Sequence, residues 1–372
     1  MRAEVVVDLA AIRHNVRTLK AHAGTAFMAV VKADAYGHGL TEVARAAREG
    51  GADWLGVATI DEALALRAGG DTGRVLCWLT VPGDDWGAAI DRDIDVTAYS
   101  VAQLDAIAST ARRGARVQLK IDTGLSRGGS PVTRWSQVLE RAERGVRAGE
   151  WSLTGIWSHL ANSDEPDDPA NAAQEQLFRE TVDMAEARGL TPEVRHLANS
   201  AATIHRPSAR FDLVRCGIAT YGVDPAPGVP HGLDLRPAMT ARARLALTKP
   251  IAAGASVSYG GTWTAERGTT LGLVPVGYAD GLLRAGSNRA EVQVGGRRRT
   301  VRGRICMDQL VVDLEGDDPG AGAEVTVFGS GADGEPTAQD WAEACGTIGY
   351  EVVSRIGGRF VRRHVDSEKL ST

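Results

Sequence analysis

From the N-terminus to about residue 220, short apolar, β-branched runs alternate with stretches whose apolar residues recur at helical spacing. The runs predict strands over 27–33 (FMAVVKA), 54–59, 74–79, 95–99, 116–122, 153–159, 194–198 and 213–218. Between them, 60–69, 101–113, 133–148 and 172–188 read as amphipathic helices. Asp8 reads as the N-cap of a further helix over 9–20, ahead of the first strand. Eight strands with intervening helices predict an α/β fold built on an eight-stranded parallel (β/α)8 TIM-like barrel. An open doubly wound sheet is the alternative, but its glycine fingerprint after the first strand is missing.

The pattern changes after Pro237. Residues 238–248, 270–278, 290–294, 300–314 and 324–328 alternate in polarity, Gly-rich turns such as Gly295-Gly296 separate them, and only 337–345 reads as a helix. This predicts a mainly antiparallel β domain. Pro225, Pro227, Pro230 and Pro237 mark a linker, which divides the chain into a barrel unit, 1–236, and a C-terminal unit, 237–372.

Composition narrows the function. The 42 basic and 47 acidic side chains leave a formal charge of -5, which argues against a nucleic-acid partner. No apolar run is long enough for a bilayer, so no membrane partner is expected, and charges interrupt the N-terminal segment where a signal peptide needs an apolar stretch. Cys77, Cys216, Cys306 and Cys345 are widely spaced. No disulfide framework or metal site is expected, and the cytoplasm is the natural setting. Lysine is scarce (Lys20, Lys32, Lys120, Lys249 and Lys369) beside abundant arginine. Arginine does not readily give up its proton to act as a base, so a lysine at an interior strand end is a chemical candidate.

Placed on the predicted strands, Lys32 ends the first, Arg127 follows the fifth, His159 ends the sixth and His196 lies in the seventh with Ser200 just beyond. Arg215 and Gly217 close the eighth. In a barrel these C-terminal ends share one mouth, and the last two loops often bind phosphate, here through Ser200 and the Gly217-Ile218 backbone. A single strand histidine is more often a core residue than a catalyst. Trp157 reads as packing and Arg297–Arg299 as a solvated hairpin. The Asp164–Asp168 segment, broken by Pro166, reads as a plain acidic loop.

The run AVVKADAYGHG around Lys32 resembles the pyridoxal-phosphate motif of bacterial alanine racemases. The similarity continues in order through KIDTGLSRGG at Lys120 and Arg127, SHLANSDE from Ser158, HLANSAA from His196 and VRCGIATYG from Val214. It goes on with VSYGGTW at Tyr259, GYADGLLR at Tyr278, GRICMDQ at Met307 and GTIGYE at Tyr350, and so covers nearly the whole chain. The resemblance implies a pyridoxal 5′-phosphate enzyme that interconverts L- and D-alanine by a two-base mechanism, supplying D-alanine for peptidoglycan. It also implies a homodimer with shared active sites.

By the same resemblance, Lys32 carries the cofactor and is the base on one face of the substrate, while Tyr259, supplied by the partner subunit, is the base on the other. A free phenol, with a pKa of about 10, needs a cationic network to act near neutrality, and His196 beside Arg215 provides one. Arg215 contacts the pyridine nitrogen; a permanent donor there leaves that nitrogen unprotonated and weakens the electron sink. Arg127 contacts the cofactor's phenolic oxygen and orients the substrate carboxylate. Tyr36, Ser200, Gly217, Ile218 and Tyr350 form the phosphate set, and His159 joins the cofactor-binding residues. Met307 and Asp308 are substrate-side residues. Tyr278, Arg284 and Asp164 line the corridor by which substrate enters, and Lys120 stands where the family often carries a carbamylated lysine that holds Arg127.

Two positions depart from the family pattern: Ser126 stands where many members have Gly, and Gly349 where many have Asn. Both bear on substrate preference and affinity. The competing readings are another fold-sharing racemase or a basic amino-acid decarboxylase, the latter wanting an acidic partner for the pyridine nitrogen, and a non-catalytic cofactor carrier, which would lack the domain bearing Tyr259.

Overall fold

The computed structural model describes residues 2–370. All eight predicted barrel runs become strands, after one strand that the pattern did not reveal. That strand is β1 (Ala3–Asp8), followed by β2 (Ala26–Val30), β3 (Trp54–Val57), β4 (Arg74–Cys77) and β5 (Asp95–Ala98). Then come β6 (Ala115–Lys120), β7 (Trp151–Trp157), β8 (Val194–His196) and β9 (Leu213–Cys216). The parallel order is β8-β7-β6-β5-β4-β3-β2-β9. Asp212 N–H to Arg195 O (3.1 Å) and Arg215 N–H to Ala198 O (3.0 Å) bring the two ends together, so the open-sheet alternative falls.

Each strand stops one to three residues short of its predicted run. Lys32 and His159 therefore lie two residues beyond β2 and β7 rather than at the strand ends. The helix foreseen over 101–113 also ends early, at Ser109, where Ala111 (φ 52°) and Gly114 turn left-handed. Asp8 caps the helix Leu9–Ala23 as foreseen, accepting from Ala10 N–H at 3.0 Å.

Inside the barrel, Met28, Trp54, Leu76 and Leu213 form an apolar plug. At the N-terminal strand ends, the fully buried Asp95 accepts from Arg74 (2.8 Å), Arg116 (3.0 Å) and Thr154 (2.7 Å). A carboxylate taken out of water needs this many donors, and once satisfied it fixes the register of the strands around it.

The C-terminal part is antiparallel, as predicted, but its strands are shorter and more numerous. They are β10 (Met239–Arg244), β11 (Leu247–Ile251), β12 (Ser256–Val257), β13 (Trp263–Thr264), β14 (Thr269–Val274) and β15 (Glu291–Val294). β16 (Arg297–Thr300), β17 (Leu310–Asp313), β18 (Glu324–Phe328) and β19 (Val361–Val365) complete them. They form sheets of order β16-β15-β18-β10-β1-β19, β11-β14-β17 and β12-β13. The stretch read as continuous over 300–314 is broken: residues 301–309 form an irregular loop between β16 and β17 that carries Met307 and Asp308.

Two helices, Gly349–Arg355 and Ser367–Leu370, join the predicted one at Ala338–Cys345. The arginine hairpin is not wholly solvated. Arg299 is buried and bonds Glu315 and Asp317. β1 pairs antiparallel with β10 and parallel with β19, so both chain termini enter the C-terminal sheet. No described helix is long and apolar enough to cross a membrane.

Candidate active site

Lys32 opens a turn that most sequences could not make. Ala33, Asp34, Ala35 and Tyr36 all have φ near 53°, a left-handed run in which every side chain carries a steric penalty of about 1–2 kcal/mol. The surroundings hold it in place. Ala33 N–H donates to Glu62 Oε1 (2.7 Å), Leu40 N–H to Asp34 Oδ1 (2.8 Å), and buried His38 donates from Nδ1 to the carbonyls of Ala35 (3.0 Å) and Tyr36 (2.9 Å).

The C-terminal part closes over the same turn. Arg362 of β19 pairs with Asp34 at 2.7 Å, and His364 donates to His38 O at 2.8 Å. A Cβ at Gly37 would lie 2.7 Å from Val353 O, and one at Gly39 2.6 Å from His364 Nε2. The two glycines of AYGHG are thus required by close approach. Lys32 is thereby held at the mouth, and burial together with Arg127 lowers its pKa from the usual lysine value.

Across the mouth, Arg215 is buried and donates four ways. Nη1 reaches His196 Nδ1 (3.0 Å); Nη2 reaches Ser158 O (2.8 Å), His159 Nδ1 (3.1 Å) and Leu197 O (3.1 Å). Arginine has no acceptor, so both imidazoles must present a bare Nδ1 to it. Burial and the Arg215 charge hold both histidines well below their ordinary pKa, hence neutral. Burial also lowers the Arg215 pKa itself, to about 9.

Trp157 is more than packing. Its ring stacks on His196 at 5.6 Å and 8°, and it carries Lys120 Nζ (4.4 Å) and Arg215 Cζ (4.8 Å) over its face. Lys120 lies on the Trp157 side of β6, and burial and Arg215 push its pKa down to about 8.

Ser200 Oγ accepts from Gly217 N–H (2.9 Å) and Ala219 N–H (3.4 Å). The Gly217 N–H is therefore engaged within the chain, and it is the Ser200 hydroxyl proton that is available to a ligand. Ile218 opens the short turn that follows, and a Cβ at Gly217 would sit 2.4 Å from Tyr36 Oη. The Tyr36 ring lies 6.2 Å from that of Tyr350, and burial raises both phenols above the ordinary tyrosine pKa. Arg127, His159, Asp164 and Tyr350 share the walls of a cavity of about 240 Å³ at the mouth. A larger one, about 570 Å³, lies under the Thr80–Gly87 loop, away from this chemistry.

Four cations therefore converge here: Lys32, Lys120, Arg127 and Arg215. Among the described residues none of them makes an ion pair with a carboxylate. Lys120 and Arg215 are buried, Lys32 is half-buried and Arg127 is exposed, and positive charge gathered this densely suits an anion. A phosphate-bearing aldehyde that couples to Lys32, of the kind the resemblance implies, fits this donor set and the space that Gly217 leaves against Tyr36.

Lys32, Lys120 and Arg215 lie outside the lining of the cavity of about 240 Å³, and so do the C-terminal residues Tyr259, Tyr278, Arg284, Met307 and Asp308. The latter project from the C-terminal part, with Tyr259 73 % and Met307 52 % exposed. Tyr259 sits on a tight turn begun by Ser258 (φ 62°), whose hydroxyl donates to Arg304 O at 2.7 Å. Fully buried Asp280 holds the neighbouring loops. It accepts from Gly277 N–H (2.9 Å) and from Arg359 Nε and Nη2 (2.7 Å each), and Arg359 Nη1 reaches Asp308 at 2.8 Å. Of the departures, Ser126 occupies a left-handed conformation (φ 56°) that glycine adopts without cost, and a Cβ at Gly349 would meet Val223 at 2.9 Å. Sequence reasoning missed Gln118, Glu62, Asp280 and Arg359. Gln118 shares the strand parity of Lys120, which was the available signal.

Family models for "Alanine racemase, N-terminal domain" and "Alanine racemase, C-terminal domain" match residues 7–225 and 238–364. The alanine racemase of Salinispora arenicola is 54% identical over 372 residues, covering 99% of each chain. Among solved structures, the alanine racemase from Streptomyces coelicolor A3(2) superposes with a TM-score of 0.96 at 53% identity, covering 98% of both chains. The enzyme from Bacillus anthracis, solved with bound L-Ala-P, superposes at 0.90 with 32% identity, covering 98% of this chain and 95% of that one.

Proposed function

The chain belongs to the alanine racemase family, with L- and D-alanine interconversion as its activity, and from that premise we propose a two-base site completed by a second copy of the chain. In this reading residues 1–236 hold pyridoxal 5′-phosphate, and residues 237–372 deliver the second base to the partner within a cytoplasmic homodimer. The observation that carries it is the division just described: the cations Lys120, Arg127 and Arg215 gathered around Lys32, and an exposed Tyr259 on the other part of the chain. The D-alanine formed would serve peptidoglycan.

Bound in the mouth, pyridoxal phosphate supplies the electron sink that makes an amino acid's α-proton removable. Lys32 Nζ anchors it covalently and accepts or returns the α-proton on its own face. Its lowered pKa enlarges the fraction able to take a proton near neutrality. Arg215 donates to the pyridine nitrogen and, having no acceptor, keeps it unprotonated. Tyr36 and Tyr350 stay protonated and donate to the phosphate with the Ser200 hydroxyl and the Ile218 backbone N–H, while Gly217 leaves the space beside Tyr36. His159 and His196 hold Arg215 in place, and Arg127 orients the substrate carboxylate. The partner subunit's Tyr259 moves a proton at its hydroxyl on the opposite face, with Met307 and Asp308 beside the substrate. Tyr278, Arg284 and Asp164 line the approach.

The test is L-alanine in deuterium oxide. D-Alanine should accumulate with deuterium at Cα and without carbon dioxide release. Decarboxylation, or no exchange at all, would sink the reading.

Lys120 is assigned the carbamylated state. Its ammonium, with a pKa of about 8 among cations, first gives up a proton; the free amine adds to the carbon of carbon dioxide, an N–C bond forms as one C–O π bond opens, a second proton leaves the nitrogen, and the former cation becomes an anion that can hold Arg127. In 13C-bicarbonate the holoenzyme should show a carbamate carbon resonance that Lys120→Arg abolishes. A wild-type spectrum without it would leave Lys120 a plain amine.

A further inference from the structure

Gln118 lies on β6 facing into the barrel and is fully buried. Its Oε1 lies 2.8 Å from His196 Nε2, and His196 Nδ1 lies 3.0 Å from Arg215 Nη1. Room for this side chain is provided directly. Gln118 is paired with Gly155 on β7, where a Cβ would stand 2.7 Å from the Gln118 amide carbon, and the β6–β7 register shifts at this point. A chain of three side chains thus runs from amide to imidazole to guanidinium, shielded from water.

The direction of that chain follows from donor chemistry. Arg215 can only donate, so His196 Nδ1 must be bare. A neutral imidazole then carries its proton on Nε2, and that N–H needs an acceptor. Gln118 Oε1 is that acceptor, while the buried Gln118 Nε2 has no partner among the described residues. An unpartnered buried amide N–H2 costs stability, which is hard to explain if Gln118 only fills space, since methionine would fill it without that cost. A glutamate would accept equally well, but its charge would draw a second proton onto His196, and Nδ1–H would then oppose Arg215.

We propose that Gln118 is a positioning residue for racemisation: it supplies the acceptor for His196 Nε2–H without which the tautomer that Arg215 requires is no longer favoured, and so keeps Arg215 aimed, fully charged, at the pyridine nitrogen. The inference rests on the proposed cofactor site, but the histidine tautomer can be read without the cofactor.

Full-length protein labelled with 15N-histidine, with and without pyridoxal phosphate, provides the readout, with the His196 signals assigned by their loss in His196→Asn. Wild type should show one tautomer, Nε2–H, in both states. Gln118→Met should show mixed tautomers in both states, a shifted absorbance of the Lys32-bound cofactor and a kcat lower by about 10–100-fold, as for other outer residues that orient an imidazole. KM should change little. Gln118→Glu, closest in shape, should keep the Nε2–H bond yet add an ionisation to the kcat/KM pH profile that wild type lacks.

A folded Gln118→Met with His196 still wholly Nε2–H overturns the inference, as does mixed tautomery with unchanged kcat. Should Gln118→Met fail to fold, Gln118→Glu decides: an unaltered pH profile overturns it too. Failure of the cofactor reading would look different, namely wild-type protein that binds no pyridoxal phosphate while the cofactor-free tautomer experiment still gives its answer.

Discussion

Lys32→Ala is expected to lower alanine racemisation by about 10⁴-fold or more, the upper range for removing one general base, and to abolish the absorbance of covalently bound pyridoxal phosphate. One change removes both the anchor and a proton-transfer group, so the loss should appear in kcat and not only in KM. Misfolding is not the expected cause. The left-handed turn after Lys32 is held by backbone and side-chain bonds that begin at Ala33: to Glu62, within Asp34–Leu40, and from Arg362 and His364. Circular dichroism and thermal midpoint should therefore stay near wild type. A small exogenous amine should restore part of the rate by standing in for the missing ammonium. Turnover by Lys32→Ala without added amine would remove Lys32 from the mechanism.

The barrel was legible because its strands are buried on both faces, so each is a short, nearly unbroken apolar run, and because helical spacing separates the runs. Strand ends were not legible: apolar residues that follow the last regular pair, such as Val31 after β2, stay buried in the core, so the hydrophobic run does not stop where the strand does. β1 and β19 escaped detection for another reason. Each finds its partner hundreds of residues away, and VRRHV in β19 is a polar edge with no alternation to read. The turn at Ala33–Tyr36 contains no glycine, so nothing local announces its handedness; only the clamps from Glu62, Arg362 and His364 make it possible.

For the site, the mouth residues were within reach once the strands were counted, since a barrel gathers its C-terminal ends. The supporting layer was harder. A glutamine and a tryptophan in a strand look like filler until His196, Arg215 and Lys120 are found against them. Arg299 shows the opposite error: three consecutive arginines suggested solvent, but strand alternation turns the third inward to Glu315 and Asp317.

The division of labour between Lys32 and Tyr259 makes the second large prediction. Tyr259→Phe should bind pyridoxal phosphate normally and lose about 10²–10⁴-fold in racemisation. The two enantiomers are equal in energy, so kcat/KM must fall equally in both directions; the base assignment has to be read from exchange instead. In deuterium oxide, only the enantiomer whose α-hydrogen faces Lys32 should keep exchanging, with retained configuration, because Lys32 still removes and returns that proton alone. Both enantiomers exchanging at wild-type rates would end the two-base scheme. If the tyrosine comes from the partner, mixing Lys32→Ala with Tyr259→Phe after subunit exchange builds heterodimers in which one of the two mouths has both native bases. Random pairing makes half the dimers mixed, so about one mouth in four is intact. Activity should rise from near zero towards that fraction. No recovery after proven exchange would place Tyr259 over the mouth of its own chain.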